Sequence, residues 1–241
     1  MSESKETQII DDIMEQIITK MIKPGEKLPS ENRLANEYKV PRMTARKALA
    51  TLEARGYIYS IHGKGRFLKK TSKPIQLHLT GNKSFTDKMI QTGYHLMTRN
   101  MYCSKIKYDQ KIYETLQADE TASIYKIGRL RIIDDEPIAI HQSFVDQANF
   151  PNIAQEGSEI ISMFAYYRKL GYSEFRSKKS YLSVTYPTSY EQQLLSCNSM
   201  VPLIVVESDC IDVKTGKVLE YTKILYRSDK FKYDISVEES Q

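Results

Sequence analysis

The sequence predicts an α+β protein of two domains. The first, residues 1–70, shows helical spacing of apolar residues, followed by two short strand-like stretches around a glycine-rich turn. The second, residues 81–241, carries at least four strand-like stretches with helix-like stretches between them, which predicts an antiparallel sheet with helices. A polar stretch that ends at Pro74 marks the boundary, and we place the linker at residues 71–80.

A first helix is predicted from apolar residues at near-ideal helical spacing. They are Ile9, Ile10, Ile13, Met14, Ile17, Ile18 and Met21. Such a stripe is typical of a core face, so we expect this helix to brace the elements that follow it.

Two further helices are predicted before Gly56. Ser30 is suited to cap the start of the first of them, and its apolar face consists of Leu34, Ala35 and Tyr38. The chain breaks at Pro41, and the second helix follows it and ends at Gly56. The core positions of this second helix are Ala45, Ala48, Leu49 and Leu52.

A hairpin is predicted directly after these helices. Residues alternate as a strand from Tyr57 to Ile61, turn at His62-Gly63-Lys64-Gly65 and return at Arg66–Leu68. Two helices followed by a glycine-tipped hairpin outline a winged helix-turn-helix, in which the second helix can lie in the major groove of DNA.

The positive charge of the chain is concentrated in the same domain. Between Val40 and Lys70 there are eight lysines and arginines and a single acid, Glu53, and the whole net charge of +5 lies in residues 1–70. A solvated basic face is the alternative interpretation of such a run. Its coincidence with the helix-turn-helix spacing favours DNA binding. The residues of the second helix that can reach phosphates and base edges are Arg42, Thr44, Arg46 and Lys47.

This domain resembles the DNA-binding domain of the GntR family of bacterial regulators over about residues 8–68. The motifs are Pro24-Gly25, LPSE from residue 28, V-x-R-x-T-x-R from residue 40, A-L-x-x-L from residue 48 and the G-x-G of the wing. The resemblance implies recognition by the second helix and a wing in the minor groove. The implied DNA-binding residues are Asn32, Arg33, Arg42, Thr44, Arg46, Lys47, His62, Gly63, Lys64 and Gly65. Asn32, where Arg is frequent, and Pro41, where Ser or Thr is usual, depart from the family pattern and bear on the operator sequence.

The second domain is predicted as a mixture of strands and helices. The predicted strands are Ile124–Ile133, Ile138–Val145, Lys178–Tyr186, Leu203–Val213 and Val218–Arg227. The predicted helices begin at Ser84, near Tyr108, near Ile160 and at Thr188.

The composition indicates where in the cell the protein is expected. No apolar run approaches the length of a membrane span, and the N-terminus does not read as a signal peptide. Cys103, Cys197 and Cys210 are odd in number and widely spaced, which predicts neither a disulfide framework nor a metal site. We therefore expect a cytoplasmic protein without a cofactor.

Two arginines on one predicted strand suggest an anion site. Arg129 and Arg131 are two residues apart and so project from the same face, and arginine forms forked contacts with phosphates and carboxylates. The capped helix start at Ser84 offers backbone N–H groups that attract the same kind of anion. The alternative is an ordinary solvated sheet face, with Glu220 as the ion-pair partner of the arginines and Ser84 as a cap only.

The second domain resembles the UTRA effector domain of the HutC branch of GntR regulators over roughly residues 75–235. The motifs are R-L-R from residue 129, D-E-P from 135, Gly171, Pro202-Leu203, Gly216 and EYTKILYRSD from 220. The resemblance implies a fold similar to chorismate lyase and a pocket for a small metabolite, often a sugar phosphate or an amino acid. The implied pocket residues are Ser84, Phe85, Thr86, Arg129, Arg131, His141, Ser162, Glu220 and Tyr226. His141 replaces an acid of the amino-sugar-phosphate branch.

These observations predict a transcriptional regulator, favoured as a repressor of a catabolic or transport operon. We expect a homodimer on a pseudo-palindromic operator, with a small anionic effector, a sugar phosphate being favoured. Two alternatives are a DNA-binding protein whose second domain only dimerises and a small enzyme with a DNA-binding appendage. The histidines are scattered and show no catalytic or metal spacing, which disfavours the enzyme.

Overall fold

The computed structural model describes residues 4–70, 75–78 and 84–234. They form two compact units. The first comprises residues 4–70, 186–192 and 197–202. The second comprises residues 75–78, 84–185, 193–196 and 203–234.

The first unit has three helices followed by a hairpin, which confirms the predicted winged helix-turn-helix. The elements are α1 (Lys5–Ile18), α2 (Glu31–Tyr38), α3 (Arg42–Ala54), β1 (Ile58–Ile61) and β2 (Gly65–Leu68). The side chain of Ser30 accepts a hydrogen bond from Arg33 N and caps α2, as predicted. Lys39 ends α2 in the left-handed conformation at φ 52°. Pro41 is the N-cap of α3 and makes no side-chain capping bond, but its φ of −57° is compatible with entry into a helix.

The apolar faces of the three helices meet in one core, which fixes the orientation of α3. Its buried residues are Ile9, Ile10, Ile13, Leu28, Leu34, Ala35, Ala45, Ala48, Leu49, Leu52, Ile58 and Leu68. Because α3 contributes four residues of one stripe to this core, its remaining face must point to solvent.

The second unit is built on a sheet that confirms the predicted α+β class. The strands are β3 (Ile75–His78), β4 (Leu96–Lys105), β5 (Ile124–Ile133), β6 (Glu136–Asp146), β7 (Phe175–Arg176), β8 (Ser180–Thr185), β9 (Leu203–Asp212), β10 (Val218–Arg227) and β11 (Phe231–Asp234). In the described chain the main sheet runs β4-β5-β6-β10-β9-β7, and β8 also pairs with β9. Every pairing in it is antiparallel.

Short helices cover both faces of this sheet. They are α4 (Phe85–Gln91), α5 (Gln110–Leu116), α6 (Ile153–Glu156) with a 3-10 turn at Gly157–Glu159, and α7 (Met163–Lys169). One more helix, α8 (Ser189–Leu195), follows β8 in the chain. Met89 of α4 and Met163 of α7 pack among side chains of one face. Ile112 of α5 packs among side chains of the other. The central strands are therefore buried on both sides.

Part of the predicted linker, residues 71–80, forms a strand. Ile75–His78 is β3, which pairs in parallel with β11, while residues 71–74 and 79–80 lie outside the described residues. Among the helices that the structure describes, none is long and apolar enough to cross a membrane.

Candidate functional site

The predicted DNA-contacting residues lie on the outer surface of the first unit. Packing of the α3 stripe into the core leaves Arg42, Arg46 and Lys47 exposed, with Thr44 half-buried. The turn between β1 and β2, residues 62–65, is exposed as well, and so are Asn32 and Arg33 at the start of α2. The three elements of this surface are those that the sequence analysis assigned to DNA contact.

A carboxylate links two of these elements. Glu31 accepts hydrogen bonds from Arg42 Nε at 2.9 Å and from Arg66 Nη1 at 3.0 Å. Arg66 also pairs with Glu53 at 3.4 Å. Burial alone would raise the pKa of Glu31, but the hydrogen bonds from Arg42 and Arg66 lower it below its ordinary value. Sequence analysis missed Glu31 and Arg66, because no local pattern reveals that residues so distant in the chain pair.

The predicted effector residues converge on three neighbouring strands of the second unit. Arg129 on β5 is paired with His141 on β6, and His141 is paired with Ile224 on β10. Arg131, Ala139 and Tyr226 form the adjacent row. Residues paired in this way share a face, so the arginines, the histidine and the tyrosine project together.

Both arginines are buried, so the alternative of a solvated sheet face is wrong. Arg129 is 3% exposed and Arg131 is 2% exposed. Arg129 donates through Nη2 to Ser143 Oγ. Arg131 donates through Nη1 to Thr98 Oγ1 at 2.5 Å and to the Ile161 carbonyl at 3.0 Å. The Nε atom of each is buried and has no hydrogen-bond partner among the described residues.

Glu220 is buried beside the arginines but is bound by hydroxyl groups. Tyr167 donates to Glu220 Oε2 at 3.0 Å, and Thr222 donates to Oε1 at 2.5 Å. In the described part of the chain, no ion pair within 4 Å joins Glu220 to Arg129 or Arg131. Its charge nevertheless counteracts the effect of burial, which lowers the pKa of Arg129. The direct ion pair that belonged to the alternative interpretation is therefore not formed, and a longer-range attraction takes its place.

His141 contributes a neutral polar group to the same cluster. Burial and the nearby Arg131 and Arg129 charges lower its pKa well below 6.5. Its ring lies edge-on to Phe85, with centroids 4.8 Å apart, and 5.7 Å from the Tyr226 ring. Its Nε2 atom is buried without a hydrogen-bond partner among the described residues. An uncharged imidazole nitrogen in this position can bind a hydroxyl group.

The predicted helix starts lie at the edge of the cluster. Ser84 and Asp87 form a reciprocal capping box at the start of α4, and Asp87 pairs with Arg168 at 3.4 Å. Because this box places an acid at the helix start, the start of α4 is a poor site for an anion. Thr86 has a buried hydroxyl with no hydrogen-bond partner in the part of the chain that the structure describes. Ser162 caps α7 by accepting from Ala165 N.

Sequence analysis missed four partners of the cluster: Thr98, Ser143, Tyr167 and Thr222. Ser143 and Thr222 could have been found from strand alternation once β6 and β10 were paired, since they are in register with each other. Tyr167 on α7 gave no such signal. Among the described residues, no group of three His, Cys, Asp or Glu is arranged to hold a metal ion.

These features define a class of protein: a winged helix-turn-helix domain joined to an effector-binding domain makes a transcription regulator. The model of the UTRA domain matches residues 91–232, and that of the gntR family of bacterial regulatory proteins matches residues 5–68. The chain belongs to the GntR family of bacterial regulators, in the group that carries a UTRA domain.

Curated relatives match nearly the whole chain. The chain is 28% identical over 228 residues to the HTH-type transcriptional repressor NagR of Bacillus subtilis (strain 168), covering 94% of this chain and 91% of that protein. It is 24% identical over 230 residues to the mannosyl-D-glycerate transport/metabolism system repressor MngR of Escherichia coli (strain K12), covering 95% and 93%. The family and these relatives are transcriptional regulators, so the chain is a regulator and the enzyme alternative is wrong.

Solved structures share the fold. PhnF from Mycobacterium smegmatis superposes with a TM-score of 0.61 at 17% identity, covering 96% of this chain and 100% of that chain. The possible transcriptional regulator YydK from Bacillus subtilis superposes with a TM-score of 0.55 at 23% identity, covering 98% and 100%. At these identities the likeness concerns the fold alone.

Proposed function

We propose that this chain is a repressor of an operon for the transport or breakdown of a sugar derivative. It binds a pseudo-palindromic operator as a homodimer, and a small anionic metabolite, favoured as a sugar phosphate, controls that binding. The names of relatives support the first statement, since MngR is a repressor of mannosyl-D-glycerate transport and metabolism and another relative is a probable fructoselysine utilization operon repressor.

The DNA part of the proposal rests on the exposed basic surface of the first unit. Arg42 and Arg46 read base edges from α3, and Lys47 and Arg33 contact phosphates. The exposed turn of the wing, residues 62–65, enters the neighbouring minor groove. One recognition helix covers only a few base pairs, so two copies on paired half-sites are needed for specificity.

A single observation carries the effector part: two arginines are buried side by side, and no carboxylate among the described residues forms an ion pair with them. A guanidinium remains protonated in a protein, and each nearby like charge adds to the cost of burial. Burial first, and then the charge of Arg129, lower the pKa of Arg131 well below its ordinary value. A phosphate bound between Arg129 and Arg131 would compensate both charges through forked hydrogen bonds, including bonds to the unpartnered Nε atoms.

The other buried polar groups suit the remainder of a sugar phosphate. In this proposal Glu220 accepts hydrogen bonds from sugar hydroxyls, and Tyr226, His141 and Thr86 contact the rest of the sugar. Ser162, Phe85 and Ser84 are the remaining residues proposed to contact the ligand. The neutral His141 can bind an uncharged hydroxyl of the ligand. An ammonium group in the same place is disfavoured, because the nearby Arg129 and Arg131 charges would repel it.

The effector can control transcription only if it binds the DNA-competent and DNA-incompetent states unequally. Isothermal titration calorimetry of the full chain against sugar phosphates, the matching free sugars and carboxylates tests the ligand class. Gel shifts on operator DNA, with and without the bound compound, then test control. Equal affinity for a neutral sugar and its phosphate would contradict the anion site.

A second domain that serves only dimerisation remains the competing proposal. It would leave the buried Nε atoms of Arg129 and Arg131 and the Nε2 atom of His141 without a role. In the calorimetry it predicts no binding by any compound of the panel, together with operator binding that no metabolite changes.

A further inference from the structure

Glu31 links the proposed recognition helix, α3, to strand β2 of the wing through hydrogen bonds. It is the first residue of α2, Arg42 is the first residue of α3 and Arg66 lies on β2. The carboxylate accepts from Arg42 Nε at 2.9 Å through Oε2 and from Arg66 Nη1 at 3.0 Å through Oε1. The Arg42 side chain is 68% exposed, whereas that of Glu31 is 18% exposed.

The hydrogen bond to Nε determines how Arg42 can meet DNA. Among the described residues, Glu31 is the one recorded hydrogen-bond partner of the Arg42 guanidinium. A guanidinium held through Nε keeps its two terminal nitrogens available, and these form the fork that matches O6 and N7 of guanine in the major groove. Without the carboxylate, the long side chain could rotate toward the phosphates instead.

Helix stability does not account for an arginine at this position. A cation at a helix N-terminus is unfavourable toward the helix dipole, and the Pro41 cap gives α3 no side-chain hydrogen bond. Glu31, whose carboxylate bears a negative charge next to Arg42, offsets that cost. The pair with Glu31 therefore reduces the cost of having an arginine at the first position of α3.

The elements proposed to contact DNA meet around this carboxylate. Glu31, Arg42 and Arg66 line a surface pocket of about 230 Å³ that Asn32 and Gly65 also line. A carboxylate at a surface that faces phosphates repels DNA. Its position there therefore needs an explanation, and the two arginines that it binds supply one.

We propose that Glu31 is a positioning residue for base recognition: it orients the Arg42 guanidinium toward base edges and keeps Arg42 and Arg66 from sequence-independent phosphate contacts. This inference rests on the proposed contact of Arg42 with DNA. Glu31 thus raises specificity while lowering general affinity for DNA, two effects that a merely structural residue would not combine.

The test uses the full chain and the duplex that the wild type selects from a random DNA pool. Affinity is measured at fixed salt for this duplex, for its single base-pair variants and for random DNA. Glu31→Gln is expected to bind random DNA more tightly and to lose roughly fivefold in discrimination at the base pair read by Arg42, the lower end of what one forked arginine contact supplies.

Two variants separate positioning from charge. Glu53→Gln removes the same charge from a side chain that binds Arg66 and Ser60 and has no recorded contact with Arg42. It should keep the discrimination. Glu31→Asp keeps the charge but shortens the reach to Arg42 Nε, so it should lose discrimination without gaining affinity for random DNA.

The outcomes separate this inference from the proposed function. If Arg42→Ala and Arg46→Ala both leave operator affinity intact, the proposed DNA surface is wrong. If Arg42→Ala lowers discrimination while Glu31→Gln and Glu31→Asp do not, the surface stands and the role of Glu31 is wrong. Equal loss of discrimination in Glu31→Gln and Glu53→Gln would also overturn it, since charge alone would then explain the result.

Discussion

Tyr167 donates a hydrogen bond to Glu220 Oε2 at 3.0 Å inside the second unit, where both side chains are buried. Burial and the Glu220 charge raise the pKa of Tyr167 well above 10. The neighbouring Tyr166, which is half-buried, makes a similar bond at 2.8 Å to Glu156, which is exposed. Two adjacent tyrosines thus bind two glutamates, one buried and one exposed to solvent.

This pair gives a matched test of stability. Tyr167→Phe should destabilise the second unit by about 1–3 kcal/mol, because it leaves a buried carboxylate oxygen without its donor. Tyr166→Phe should change stability by less than about 0.5 kcal/mol, since water replaces the lost bond. Urea unfolding of the full chain, with hydrogen exchange assigning the transition to the sheet, measures both. Equal effects of the two changes would mean that Tyr167 does not stabilise Glu220.

Arg131→Met should remove the effector response while preserving the fold. Methionine fills similar volume without a buried charge, a kind of exchange that often leaves stability unchanged or higher. We expect calorimetry to show no preference for a sugar phosphate over the free sugar, with operator affinity near that of the wild type. Arg168→Met, which removes an exposed arginine paired with Asp87, is the control and should respond normally. A full response in Arg131→Met would exclude the arginine from the anion site.

The buried His141 predicts a pH dependence of stability. Its pKa is lowered in the folded protein, so below about pH 6.5 the unfolded chain binds a proton that the folded chain does not. Stability of the second unit should therefore fall as the pH drops from 7 to 5, with this residue contributing at most about 1.4 kcal/mol per pH unit. In His141→Gln the fall should be shallower by that contribution. An unchanged slope in His141→Gln would show that folding does not lower the pKa of this histidine.

Arg46→Ala should weaken binding to the selected operator by about 1–3 kcal/mol if the side chain reaches a base edge. Lys69→Ala, outside α3, should weaken binding to all sequences slightly and alike. Gel shifts at one salt concentration, on operator and random DNA, distinguish the two patterns. Unchanged operator affinity in Arg46→Ala would mean that α3 does not read the DNA.

The chain should sediment as a dimer at micromolar concentration. The physical reason is that paired half-sites about one helical turn apart require two linked recognition helices. Analytical ultracentrifugation, with and without operator DNA, measures the mass. A monomer under both conditions would contradict the proposed mode of operator binding.

Local patterns were sufficient to predict the three helices and the hairpin between residues 5 and 68. Their caps, helical stripes and glycine turn are all short-range features, and each predicted element was found. In the second unit, alternation correctly placed Arg129 and Arg131 on one face of a single strand. Their burial depended on α4 and α7 packing over that face, which no local pattern expresses.

The missed elements lacked either a regular alternation of apolar and polar residues or partners nearby in the chain. β4 lies at an edge of the main sheet and carries polar residues such as Thr98, Arg99 and Asn100, so it showed no strand-like alternation. β3 and β11 are short, and they pair with each other from opposite ends of the second unit. The bonds of Glu31 to Arg42 and Arg66 were hidden for the same reason.

The pairing of β3 with β11 can form only late in synthesis, after the DNA-binding core. Ile75, at the start of β3, is in register with Phe231, which the ribosome adds after every other strand of the described second unit. The core of the first unit needs only residues 9–68, and domains made first can fold first. A nascent chain therefore holds a packed DNA-binding core well before β3 can find its partner. A chain that terminates before Phe231 would contain the complete core of the first unit, but its second unit would lack the β3–β11 pair.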